Sequence, residues 1–221
     1  MVSRKANSSS PGRDTGEDSG RKYPERKRPK PPLDERALRD LALHYAARFA
    51  TTGARLEGYL ARKLKERGVA EDADGRIAQV DIPALVTRLV ELGYVDDDAY
   101  ARMRARDLGA RGYGGRRIEQ TLWAAGVDEA IRQSHAPGEA ASRRAAALMA
   151  QKKRLGPWGV TVAAGNDPLA QRKAYEKAVA AMLRAGHDYA HVKYILGANS
   201  VGDIEQWLDE AADEEQADGS W

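Results

Sequence analysis

The chain of 221 residues contains no cysteine. Disulfides, Cys-ligated zinc, iron–sulfur clusters and a thiol nucleophile are thereby excluded, and a reducing, cytoplasmic setting fits. No run of about eighteen apolar residues occurs, so no helix is expected to span a membrane. The first 32 residues lack an apolar h-region, so no secretory signal is expected. Phenylalanine occurs once, and β-branched residues are scarce: 6 Ile, 12 Val and 6 Thr stand against 39 Ala and 18 Leu. Sheets favour β-branched and aromatic side chains, whereas Ala, Leu, Arg, Lys and Glu lose little rotamer freedom in a helix. Composition alone therefore predicts an all-α protein.

Net charge is +3, but its distribution is uneven. Residues 1–33 carry nine Lys/Arg against four Asp/Glu, and residues 208–221 carry six acids and no base. The first segment is rich in Ser, Gly and Pro and has nothing to bury. It reads as a disordered basic arm, either solvated or in contact with nucleic acid through its charge. Residues 209–221 read as an acidic tail.

Between them, apolar residues recur at helical spacing, with Asp34, Asp81, Asp96, Asp128 and Asp188 placed to cap helices and glycines placed to end them. Three segments share one shape. Leu60, Leu64 and Gly68 stand at the same spacing as Ile118, Leu122 and Gly126, and as Ala178, Met182 and Gly186. The copies lie 58 and 60 residues apart, and each glycine falls where a helix end needs positive φ. Each copy has a helix before it and a short capped helix after it. Nine helices thus group into three tandem three-helix repeats over residues 34–95, 96–137 and 138–208, with a loop at 155–168 and a short last helix near Leu208. Units this small bury little alone, so stacked neighbours are expected to complete each core in an elongated, curved array.

The run Arg88-Leu89-Val90-Glu91-Leu92-Gly93-Tyr94-Val95-Asp96-Asp97-Asp98 resembles the RecX family. So does its continuation through Tyr100, Gly112-Tyr113-Gly114-Gly115-Arg116-Arg117-Ile118, Leu122 and Gly126. Arg172 to Leu196 is similar to that family's C-terminal repeat, and the resemblance covers about residues 36–197. It implies three tandem three-helix repeats and a monomeric cytoplasmic protein without a cofactor. It also implies binding to the RecA recombinase filament on DNA and restraint of its ATPase and strand exchange, in DNA repair, recombination and the SOS response. The chain departs from the family pattern at Thr51-Thr52-Gly53, where a Ser-x-x-Glu-Leu helix start is usual.

Arg102, Arg104, Arg106, Arg111, Arg116 and Arg117 place six guanidiniums within 16 residues. Guanidinium forks suit phosphate or carboxylate, so this repeat is the candidate surface for a filament, or for weak contact with single- or double-stranded DNA. Lys152, Lys153 and Arg154 extend the candidates and also complement the C-terminal dipole of their helix. Local pairing with Asp107 and Glu119 would account equally well for any single arginine. Gly112, Gly114 and Gly115 precede a helix but lack a Gly-Lys-Ser/Thr sequence, and read as a turn rather than a nucleotide site. His187 and His191 are four apart without the intervening Glu of a zinc motif. Consecutive Asp96, Asp97 and Asp98 read as capping rather than as a metal site. Trp158 is either a partner contact or a core anchor. No Ser-His-Asp arrangement emerges, so no enzyme is expected. A helix–turn–helix-like DNA-binding regulator and a non-catalytic helical scaffold remain the alternatives.

Overall fold

The computed structural model describes residues 30–71, 74–75, 77, 79–159 and 167–218. The basic arm up to residue 29 and the connector residues 160–166 lie outside the described residues. Ten α-helices carry the described chain. They are α1 (Glu35–Arg48), α2 (Gly53–Arg67), α3 (Ile82–Glu91), α4 (Asp97–Ala110), α5 (Gly115–Trp123), α6 (Glu129–Ser134), α7 (Glu139–Lys153), α8 (Pro168–Arg184), α9 (Tyr189–Gly197) and α10 (Val201–Asp218). A single 3₁₀ turn, Gly156–Trp158, follows α7. Among the described residues there is no strand, only the isolated bridges Leu33–Val69 and Glu71–Ile77. The protein is all-α, as composition predicts.

The starts and stops follow from side-chain chemistry. Asp34, Asp81, Asp96, Asp128, Asp167 and Asp188 each accept a hydrogen bond from a first-turn amide, and Thr52 does so for α2. This satisfies donors that a helix N-terminus otherwise leaves open. Gly68, Gly126 and Gly186 close the equivalent helices at φ 78°, 75° and 91°, as the repeat spacing predicts. A side chain at such an angle is strained, so only glycine sits there cheaply.

Each repeat has its own hydrophobic cluster. Leu33, Leu38, Leu56, Leu60, Val86 and Leu89 fill the first. Tyr100, Leu108, Ile118, Leu122 and Val127 fill the second, and Ala146, Met182, Val192, Ile195, Ile204 and Trp207 the third. Leu33 was expected to be the last residue of the arm. It is instead fully buried, and its backbone is bonded to Gly68 and Ala70.

The clusters do not merge. Backbone and polar contacts join the repeats alongside close apolar approaches such as that of the Ala54 methyl to Gly126. At the first joint the Thr52 hydroxyl donates to the Ala125 carbonyl (2.5 Å), and the Gly53 N–H donates to the Asp97 carboxylate (2.9 Å). At the second joint Gly114 N–H donates to Ala185 O (3.0 Å), Arg116 N–H to Gly186 O (3.2 Å), and buried His187 bonds Gly112 O (3.0 Å).

The C-terminal end also differs from the short helix and acidic tail expected from sequence. The helix entered at Val201 continues to Asp218, packing Ile204, Trp207 and Ala211 inward. Glu215 Oε1 accepts from Ala140 N–H (2.8 Å). That bond caps α7, whose own N-cap residue, Gly138, has no side chain to do it. Trp158 packs against the third cluster, the core-anchoring alternative.

Candidate partner-binding surface

The structure separates the arginines that the sequence places close together. Residues two apart on a helix point about 200° apart, and residues four apart share a face. Arg102 and Arg106 therefore lie on one side of α4 and Arg104 on the other. Arg104 pairs with Asp107 (3.0 Å), and Arg111 takes the second oxygen of the same carboxylate (2.9 Å). Arg116 reaches Asp188 of the third repeat at 3.8 Å. Arg117 lies at the second joint, its backbone N–H where a Cβ on Gly186 would fall. Lys152 Nζ donates to Arg111 O (3.3 Å), joining the end of α7 to the turn after α4. Lys153 and Arg154 are exposed at that helix end, and Arg154 is the one non-glycine residue with positive φ among the described residues.

Arg102 and Arg106 face a groove of about 690 Å³. One wall is α4 and the other is α7, with the start of α5 and the turn before α7 closing its ends. Its floor is apolar, formed by residues such as Ala105, Ile118, Ala145 and Leu148. Arg144, on α7, lines the same groove. Sequence reasoning passed over Arg144 because it stands in an alanine-rich helix beside Arg143 rather than within the arginine cluster. Its neighbour turns away: Arg143 pairs with Glu139 (2.7 Å), covers the Trp207 ring (4.8 Å) and donates to Trp207 O (2.8 Å). Arg102, Arg106 and Arg144 are all exposed.

The remaining candidates resolve into structural roles. The three consecutive aspartates go to three places. Asp96 caps α4 (2.8 Å to Ala99 N), Asp97 holds the first joint, and Asp98 pairs with His135 (2.7 Å). Burial pushes the Asp97 carboxyl up, against the pull of the Gly53 N–H, and the charge of Asp96 adds to the rise. The α5 N-terminal amides of Gly114 and Arg116 are occupied by Ala185 and Gly186 carbonyls, so they are not turned towards a phosphate. His187 and His191 also part. His187 is 2% exposed and bonded to Gly112 O, and His191 pairs with Glu139 (3.0 Å). Partial burial works to raise the Glu139 carboxyl, but the hydrogen bonds and charges of Arg143 and His191 hold it below the ordinary range. Among the described residues no group of three potential metal ligands comes together.

Fold and surface thus define a helical-repeat protein that offers an arginine-lined groove beside its middle repeat. Comparison with known proteins sharpens this. The family model for the second three-helix domain of RecX matches residues 96–134. Regulatory protein RecX of Myxococcus xanthus (strain DK1622) is 30% identical over 190 residues, which covers 82% of this chain and 98% of that protein. The crystal structure of RecX from Lactobacillus salivarius superposes with a TM-score of 0.54 at 19% identity, covering 80% of this chain and 97% of that one, and so shares the fold. The chain belongs to the RecX family of regulatory proteins.

Proposed function

We propose that this protein regulates the RecA recombinase by binding its filament on DNA, restraining ATP hydrolysis and strand exchange during DNA repair and recombination. The observation that supports this most is the 30% identity that runs through nearly the whole of a curated regulatory RecX protein. Regulation proceeds by binding rather than catalysis, in the cytoplasm, by a monomer without a cofactor. Direct contact with single- or double-stranded DNA is weak. Residues 34–207 carry 27 Lys/Arg against 23 Asp/Glu, too small an excess for sequence-independent coating of DNA at physiological salt. Of the sequence candidates, the exposure of Arg102 and Arg106 in the groove supports them as partner contacts, whereas Arg104, Arg111 and Arg116 are engaged with carboxylates of this chain.

The test is steady-state ATP hydrolysis by RecA on single-stranded DNA with increasing amounts of this protein. Inhibition well below one molecule per recombinase protomer is expected. Unchanged hydrolysis at saturating protein, or inhibition that tracks only the DNA this protein covers, overturns the reading.

A further inference from the structure

We infer that the groove between α4 and α7 is a docking site for an acidic, amphipathic helix of a protein partner. The inference deepens the proposed function and rests on it only for which protein carries that helix. Every carboxylate close in sequence to the two walls is already taken. Asp98 is held by His135, Asp107 by Arg104 and Arg111, and Glu139 by Arg143 and His191. Arg102, Arg106 and Arg144 line one groove and form no ion pair among the described residues, although Arg144 also borders a second pocket that Glu205 lines. Guanidiniums without an ion pair around a single cleft, Arg102 and Arg106 above all, call for anionic groups from outside, and their forks match carboxylates.

The floor then decides the class of partner. A nucleic-acid backbone presents phosphates and sugar and leaves an apolar floor unfilled, whereas an amphipathic helix fills it with alternate-turn apolar side chains. The small residues Ala105, Gly109, Ala141 and Ala145 in the lining allow a helix to approach closely. Arg102 and Arg106 stand one turn apart, the spacing of carboxylates at i and i+4 on a docked helix. The wall from Arg102 to Ala110 is about 12 Å long, the length of roughly eight helical residues. The chain's own arm is the wrong occupant, since residues 1–33 are strongly basic.

The test uses the full chain and fluorescence anisotropy of a labelled helical peptide of about twelve residues, with glutamates four apart and leucines along the same face. A peptide with lysines for glutamates and a labelled oligothymidylate serve as the other arms. Binding of the glutamate peptide alone is expected. It should weaken about tenfold or more in Arg102→Glu/Arg106→Glu/Arg144→Glu, and also in Ala141→Trp, which fills the groove without changing charge. The three arginines are exposed, so the charge variant keeps its circular dichroism even if the tryptophan variant does not fold. The inference is overturned if the glutamate peptide does not bind, or if it binds the charge variant as tightly as the parent. It is also overturned if the oligothymidylate is the probe that the three arginines hold. RecA is absent from this assay, so a negative result in the ATPase test leaves its outcome intact.

Discussion

The three glycines at the repeat spacing share a positive φ at a helix end, and they meet three different surroundings. Gly68 is the C-cap of α2, and Gly126 and Gly186 lie just beyond the caps of α5 and α8. Replacing any of them with alanine forces a side chain into a positive φ, which costs about 1–3 kcal/mol. At Gly68 that is the whole cost, since a Cβ would meet nothing within 4 Å. At Gly126 the new methyl overlaps the Cβ of Ala54 in the first repeat. Overpacking of this kind adds about 1–3 kcal/mol. At Gly186 the overlap is with the backbone N of Arg117, which cannot swing aside. The displacement also stretches the bonds from Gly114 and Arg116 to the Ala185 and Gly186 carbonyls, each worth about 0.5–1.5 kcal/mol.

The expected losses are therefore roughly 2, 4 and 5 kcal/mol for Gly68→Ala, Gly126→Ala and Gly186→Ala. Urea unfolding followed by far-ultraviolet circular dichroism reads them as shifts in midpoint. Adding Ala54→Gly to Gly126→Ala removes the overlap at a cost of about 1 kcal/mol for glycine in a helix. The pair should therefore be non-additive, with partial recovery in the double variant. Equal losses at the three positions, or no coupling between positions 54 and 126, would refute the claim that the repeats are joined by close backbone approach.

Thr52→Val should cost about 2–4 kcal/mol, since it removes the cap of α2 and leaves the Ala125 carbonyl without its donor; Thr52→Ser should recover most of it in the same urea assay, and equal losses for both would show that the hydroxyl does not hold the joint. His187 gives a pH dependence. Burial pushes its imidazole below the ordinary 6.5, and a carbonyl partner can only accept, so the neutral ring donates Nε2–H to Gly112. The unfolded chain binds the proton near pH 6.5 and the folded chain does not, so its contribution is complete above that pH and is lost as pH falls. Urea midpoints should drop between about pH 7 and pH 5, and the slope should flatten in His187→Gln; an equal slope in that variant sinks the assignment.

Much of the fold was legible in the sequence because its causes are local. Alanine and leucine in place of β-branched residues decided the class. An aspartate before each apolar stripe marked most helix starts, and a glycine eight residues after the first apolar position marked three helix ends. The internal period followed from those marks. Sequence patterns ended the last helix near Leu208 because the residues beyond it are acidic, but Ala211 is buried and Glu215 reaches α7. A carboxylate that caps a helix 75 positions earlier in the chain leaves no mark in its own neighbourhood.

The candidate surface divides along the same line. The sequence by itself determined that Arg102 and Arg106 share a helix face, because helical geometry is a property of spacing. Only the tertiary structure decided which guanidiniums stay uncommitted. Pairing depends on where carboxylates arrive from other helices: Asp188 comes to Arg116 from the third repeat, and Glu139 draws Arg143 away from the groove that Arg144 lines. The joints between repeats were decided in the same way. A glycine's permissiveness can be read in one dimension, but whether open space, a methyl group or another backbone stands beside it is settled only when the chain has packed.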